Sequence, residues 1–294
     1  MKDHSASPSV RAKALELSID LEKLAADLDK RQITLDDLSP KQNTGRSQVA
    51  DSLSYWDVDH SLYGDVQIQA TSKIDRVASD NLSAANTVIP QVTHQDHADI
   101  TAIEALRGQF KLEAKKRGVK LTGLAFYVKA LAHTLKKFQK FNASLSSDGQ
   151  TLFLKEYVHI GIAVDTEHGL MVPVIRNVDK KGLFTIAAEI IELANKAKSR
   201  KLSADDMGGA SMTISNLGGI GGTGFTPIVN PPEVAILGIT RTETRPFWDG
   251  EAFVPTKFAP LDLSYDHRVI NGADAARFLA ELTHVLKDPR QLLV

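Results

Sequence analysis

The sequence predicts an α/β or α+β sandwich, and two observations carry that expectation. Strand-like runs rich in Val, Ile and Leu recur at residues 158–165, 170–175, 211–217 and 233–239. Segments with apolar residues at helical spacing lie before, between and after them, at 99–117, 123–138, 183–198 and 273–286. A sheet packed against helices needs both periods, because each element buries an apolar face on the other.

The first 38 residues read as two short helices. Ser7-Pro8-Ser9 starts one, with Val10, Ala14, Leu17 and Leu21 on one face, and Thr34-Leu35-Asp36-Asp37-Leu38 starts a second with a capping residue. Residues 39–55, with Pro40, Asn43, Gly45 and many hydroxyls, have the composition of a flexible linker. Trp56 to Tyr63 opens the main domain, 56–294, as a surface arm. Val66 to Val77 leans towards strand, and Val88-Ile89-Pro90-Gln91-Val92-Thr93 is strand-like. Asp99 then opens a helix to about Arg117, with Ile100, Ile103, Leu106 and Phe110 at helical spacing. Gly123 to Phe138 is apolar on more than one side, which predicts a buried helix. His94 and His97 beside Asp96 and Asp99 have no second ligand cluster, so a solvated turn is expected there rather than a metal site.

Val158 to Asp165 and Leu170 to Ile175, with the turn His168-Gly169 between them, predict a hairpin. Leu183 to Lys198 is an amphipathic helix whose charges form a solvated face. Ser203 to Met207 is a capped turn, Ser211 to Leu217 a strand, and Gly219 to Gly224 spells G-x-G-x-x-G. That spacing suggests a dinucleotide site only if a helix follows to hold the pyrophosphate. Phe225 to Pro232 contains three prolines instead, so the dinucleotide fold is rejected. Glu233 to Ile239 is the next strand, Thr240 to Pro246 follows, and Phe247 to Gly250 is a turn.

The chain has 294 residues, 43% hydrophobic and 24% charged, with a formal charge of −1. That balance gives no support for nucleic acid as a partner. There is no cysteine, which excludes disulfides, thiolate metal sites and a cysteine nucleophile. The first residues carry no apolar core of a signal peptide, and no apolar run approaches the ~20 residues of a membrane span. A soluble chain of the cytoplasm, or of an organelle matrix after processing, is expected.

One stretch carries chemistry: Ser264-Tyr265-Asp266-His267-Arg268-Val269-Ile270-Asn271-Gly272. β-prone residues lead up to it from Leu261, Asn-Gly is a strong turn signal, and Ala273 to Leu286 reads as a helix. His267 thus falls where a strand gives way to a loop and a helix. By itself such a histidine is either a satisfied structural imidazole or a side chain presented to a substrate. The segment resembles the His-x-x-x-Asp-Gly signature of the dihydrolipoamide acyltransferases, core components of 2-oxo acid dehydrogenase complexes, with chloramphenicol acetyltransferase a distant relative. The usual motif is Asp-His-Arg-Val-x-Asp-Gly, with Asn271 here in place of the second Asp. Gly221-Gly222-Thr223-Gly224-Phe225-Thr226-Pro227-Ile228-Val229-Asn230 also resembles the family, especially its acetyl-transferring, pyruvate-type members, and the likeness runs from about Trp56 to Val294. It departs at Ala84 and Asn86, where pyruvate-type relatives often carry Arg and Trp.

The resemblance implies a mixed sheet covered by helices, of the chloramphenicol acetyltransferase type. It also implies a homotrimer with active sites between subunits, with cubic assembly of trimers beyond that. Coenzyme A and dihydrolipoamide would be the substrates, and His267 the general base. Ser215 would donate to the oxyanion and Asn271 would support the site by hydrogen bonding. On spacing alone Ser215 is an ordinary strand hydroxyl. Gly221, Gly222 and Thr223 are candidates for binding coenzyme A or lipoamide. No lipoyl domain is visible, so a lipoyl domain in trans, or one in a longer chain, is expected to bring the acyl group. Residues 1–38 resemble the peripheral-subunit-binding domain, whose partners are the decarboxylase and dihydrolipoamide dehydrogenase components. Ala25 to Gln32 replaces that domain's Gly-rich loop, which leaves a surface helical pair without a partner as an equal alternative. The expected activity is acetyl transfer. The alternatives are succinyl or branched-chain transfer, or a non-catalytic scaffold. The tail Leu292-Leu293-Val294 either fills a pocket on a neighbour or packs on its own domain.

Overall fold

A computed structural model describes residues 5–16, 19–28, 32–38 and 56–293. The chain divides into two compact units between Gln69 and Ala70. In the first, β1 (Ser5–Ala6), α1 (Pro8–Glu16), α2 (Leu21–Leu28), β2 (Gln32–Ile33) and α3 (Leu35–Leu38) enclose Val10, Ala14, Ala25, Ile33 and Leu38. Pro8 takes the first helical position, where its missing N–H costs nothing, and the Ser7 hydroxyl accepts from Val10 N–H at 3.4 Å. Thr34 donates twice to the Asp37 carboxylate, at 2.9 and 2.8 Å, and so fixes the start of α3. Three short helices stand where the sequence predicts two. The linker assigned to 39–55 lies outside the described residues.

The second unit opens with α4 (Lys73–Val88), followed by β3 (Gln91–Asp99). The strand leaning of Val66 to Val77 gives way to helix at Lys73, because the Ser72 hydroxyl accepts from Asp75 N–H at 3.1 Å and caps it. His94 and His97 lie within β3 rather than in a turn. The helix expected from Asp99 starts at Thr101 and breaks at Phe110 into α5 (Thr101–Gln109) and α6 (Lys111–Lys116). α7 (Gly123–Lys137) has buried residues on all sides, as its sequence predicts. β4 (Ala143–Leu145) and β5 (Leu152–Leu154) form a separate hairpin, and β6 (Ile160–Ile162) pairs antiparallel with β7 (Val174–Ile175). α8 spans Leu183–Lys198. β8 (Met212–Asn216), β9 (Ala235–Ile239), β10 (Glu243–Trp248), the long β11 (Phe253–Asp266) and α9 (Gly272–Lys287) complete the unit. Phe247 and Trp248, expected in a turn, belong to β10, which pairs with β11.

Seven strands make one mixed sheet. β6, β8 and β9 run parallel to one another, while β11 is antiparallel to β9, β10 and β3. Leu261 pairs with Ile239 on one edge and with Asp96 on the other, so β9 and β3 flank β11. The two faces differ in chemistry. Met212, Ile214, Ala235, Leu237, Ile239, Leu261 and Leu263 share one core with α5, α7, α8 and α9. The alternate residues Thr213, Ser215, Ile236, Gly238, Asp262 and Ser264 therefore point the other way. There Ala85 and Ile89, at the end of α4, cluster with Val229 and Ile236.

Candidate active site

On this second face, Ser215, Gly238, Asp262 and Gln95 lie opposite one another in one row across β8, β9, β11 and β3. Ser215 is half-buried. Asp262 is buried and accepts from Gln95 Nε2 at 2.6 Å and from Phe225 N–H at 3.2 Å. Farther along, Val229 N–H donates to Gln91 Oε1 at 2.7 Å. The loop from Leu217 to Pro232 is thus tied down by side chains of β3 and β11. No helix follows Gly224, as the rejection of a dinucleotide site requires. Gly221 and Gly222 have φ of +154° and +84°, which favour glycine, and together with Thr223 they lie on the outer part of the loop.

His267 sits in the turn between β11 and α9. The turn is held by Val269 and Ile270 N–H groups on the Asp266 carbonyl, at 3.0 Å each, and by His267 N–H on Pro90 O at 3.1 Å. Arg268 grips the buried Asp266 carboxylate with Nε and Nη2, at 3.0 and 2.7 Å. His267 itself is exposed, its ring 5.8 Å from that of Tyr265. Asn271 does not form the positive-φ turn that Asn-Gly suggests. Its φ is −93°, and its Oδ1 accepts Asp274 N–H at 3.0 Å as the N-cap of α9.

His267 and Asn271 lie four residues apart, in the turn after β11 and at the cap of α9, but Ser215 does not join them. Ser215 is in register with Asp262, two strands away, and His267 lies five residues farther along the chain, just beyond the end of β11. At ~3.4 Å per residue and ~4.8 Å per strand, the two residues are on the order of 20 Å apart within one chain. No side-chain rotation closes that gap.

An open groove of about 1520 Å³ adjoins the Ser215 end of β8. Asn216, Gly218 and Gly219 line one wall, and Arg107, Lys111, Lys115, Lys120 and Arg241 make it basic. Arg107 pairs with Glu104 at 2.6 Å. Buried Tyr127 also lines the groove, and burial pushes its phenol up to about 12, so it stays neutral. These cations come from α5, α6, the turn after α6 and the segment between β9 and β10. Nothing in their spacing along the chain announces a common site.

Glu233 is a second group that the sequence does not single out. It is buried, and its Oε1 accepts from Thr213 Oγ1 at 2.8 Å and from Asn230 Nδ2 at 3.0 Å, while Oε2 has no hydrogen-bond partner. Burial pushes its carboxyl up to about 7, against the two donors and nearby Lys155. The folded protein therefore holds this proton more tightly than the unfolded chain between about 4.5 and 7. Its contribution to stability is full at the acid end of that window and falls as pH rises through it. Glu233→Gln is expected to abolish that fall and to gain on the wild type by on the order of 1–3 kcal/mol above about pH 7. Parallel pH profiles of thermal unfolding for variant and wild type would contradict this.

The model of the 2-oxoacid dehydrogenases acyltransferase (catalytic domain) family matches residues 63–294. The dihydrolipoyllysine-residue acetyltransferase component of the pyruvate dehydrogenase complex of Pseudomonas aeruginosa is 48% identical over 299 residues, covering 98% of this chain and 55% of that protein. Its counterpart from Azotobacter vinelandii is 53% identical over 237 residues, 81% of this chain and 37% of that protein. The chain spans about half the length of several curated relatives it matches. Among solved structures, the A. vinelandii dihydrolipoamide acetyltransferase superposes with a TM-score of 0.79 at 53% identity, covering 81% of this chain and 98% of that one. The cubic core of a pyruvate dehydrogenase multienzyme complex gives 0.79 at 54% identity, with the same coverage.

Proposed function

This chain belongs to the 2-oxoacid dehydrogenase acyltransferase family, and from that premise we propose that it transfers an acetyl group between dihydrolipoamide and coenzyme A at a site shared by two copies of the chain. The trio Ser215, His267 and Asn271 carries the proposal. In the A. vinelandii enzyme, the residues whose role in the catalytic mechanism was investigated are a serine, a histidine and an asparagine, separated by the same 52 and four positions.

The reaction exchanges one thiol for another on an acyl carbon. His267 takes the proton of the coenzyme A thiol, a task suited to an imidazole near neutral pH. The thiolate attacks the thioester carbonyl of acetyl-dihydrolipoamide and a new C–S bond forms. The tetrahedral oxyanion accepts a hydrogen bond from the Ser215 hydroxyl. Collapse breaks the bond to the dihydrolipoyl sulfur, which recovers the proton from His267. No covalent enzyme intermediate is needed, in keeping with the absence of cysteine. Asn271 supports the turn that presents His267 through its cap on α9.

One copy cannot bring Ser215 to His267, but a cyclic oligomer can. A heterologous interface that closes at three copies sets Ser215 of one chain against His267 of the next and makes three equivalent sites. The solved relative that forms a cubic core supports assembly beyond the trimer. The lipoyl group would reach the site on a lipoyl domain, and the basic groove would hold the phosphates of coenzyme A. Lys111→Glu and Lys115→Glu are then expected to raise KM for coenzyme A about tenfold or more with little change in kcat, since they touch a part of the substrate that does not react. Initial-rate kinetics check this, and an unchanged KM in both variants would place the phosphates elsewhere. The activity is tested by acetyl transfer from acetyl-CoA to free dihydrolipoamide. No transfer by a correctly assembled trimer would favour a scaffold.

A further inference from the structure

Glu233 follows the loop that Leu217 begins, and its side chain reaches back to the strand the loop leaves. Its Oε1 accepts from Thr213 Oγ1 at 2.8 Å, two residues before Ser215 on the same face of β8. The same oxygen accepts from Asn230 Nδ2 at 3.0 Å, and Glu233 N–H donates to Asn230 O at 3.1 Å. Room for this bridge is made on β6. Gly161 pairs with Thr213, and a Cβ there would meet Thr213 Oγ1 at 2.6 Å and Val172 Cγ1 at 3.0 Å. One carboxyl oxygen thus joins the outgoing strand to the returning end of the loop.

The other oxygen, Oε2, is buried without a partner. As the neutral acid the group leaves one hydrogen bond unmade. As the anion it buries a charge on an oxygen that nothing solvates, which costs far more. The groups around it are few. Thr213 and Asn230 are neutral donors, and Gly161 behind Thr213 has no side chain. Among the described residues the charged side chain that acts on Glu233 is Lys155, just after β5. Its Nζ is bonded to the Ala210 carbonyl at 2.8 Å instead. An ionised Oε2 is satisfied only if water enters or if Lys155 leaves Ala210 for it. Either change draws the carboxyl away from Thr213 and Asn230.

We propose that Glu233 is a positioning residue for acyl transfer: as the neutral acid it shuts the loop of residues 217–232 onto the strand of Ser215, and loss of its proton loosens the loop. The proposal rests on acetyl transfer with Ser215 as the oxyanion donor and the loop beside it as a substrate-binding element. Burial holds the carboxyl at about 7, so the change falls near neutral pH. The loop is shut below that value and is released as pH rises through it.

The test follows kcat/KM for acetyl transfer from acetyl-CoA to dihydrolipoamide across pH, with the assembled wild type and with Glu233→Gln. The amide keeps the Oε1 acceptor and cannot ionise. The ratio of variant to wild type at each pH cancels the ionisation of His267 and of the thiols, which both proteins share. That ratio is expected to climb about tenfold from below the midpoint to one unit above it, as the neutral fraction of Glu233 falls. Hydrogen exchange of the Phe225 and Val229 amides, compared at the same pH, is expected to diverge in step, with the wild type exchanging faster above the midpoint. Glu233→Ala, which removes the acceptor, is expected to exchange fast at every pH. A ratio that stays flat with pH, at whatever level, would overturn the proposal and leave the acetyl-transfer function standing. A climbing ratio with identical exchange in wild type and Glu233→Gln would mean that the charge acts without the loop, and would also overturn it. A wild type that transfers no acetyl group would overturn both the function and the proposal.

Discussion

His267→Ala is expected to lower kcat for acetyl transfer by about 10²–10⁴-fold, the usual contribution of a positioned general base. The turn that carries His267 is built by backbone bonds from 266, 267, 269 and 270 and by the Arg268–Asp266 pair, none of which uses the imidazole. Removing the exposed ring should therefore leave folding and assembly intact and the loss should fall on chemistry. KM for either thiol should move little. The rate of the variant should rise with pH as more substrate thiol ionises without help. Wild-type rates in the variant would place the base elsewhere.

Ser215→Ala is expected to cost about 10²–10³-fold in kcat, the loss typical of one oxyanion donor. The hydroxyl meets full negative charge only in the tetrahedral intermediate, so ground-state binding should be nearly unaffected. Ser215→Thr keeps a donor and should retain more activity than Ser215→Ala. A nucleophilic serine would leave an acetylated enzyme after mixing with acetyl-CoA alone. Mass spectrometry of the wild type is expected to show no such adduct, and finding one would replace the direct transfer described above.

Much of this was legible in the sequence where one residue type decides the outcome locally. The apolar period of Leu183 to Lys198 reproduces α8 to the residue, because the helix buries one face and solvates the other. Three prolines after Gly224 were enough to reject a dinucleotide site. Elsewhere the deciding partner was distant. The sequence shows the strand only as far as Thr93 and reads His94 to Asp99 as a turn, yet β11 pairs with all of β3, and Gln95 and Thr93 find Asp262 and Ser264 across the ladder. Asn271-Gly272 looks like a turn, but the donor it satisfies belongs to a helix start. Leu292 packs into the core of its own domain, where the sequence left two options open, while the Leu293 side chain and Val294 lie outside the described residues. The basic groove and the tie of Glu233 to Thr213 could not be read at all, since each joins residues far apart in the chain.

The central claim is that Ser215 and His267 act on one substrate from two different copies. Complementation tests it directly. Ser215→Ala and His267→Ala chains, each nearly inactive alone, are co-expressed with different tags, and oligomers carrying both tags are isolated. If each site draws Ser215 from one chain and His267 from its neighbour, every mixed trimer keeps one of its three sites with both groups intact. The mixed trimers are then expected to recover about a third of wild-type acetyl transfer. Activity no higher than that of the two parents, in oligomers shown to contain both chains, would contradict a shared site.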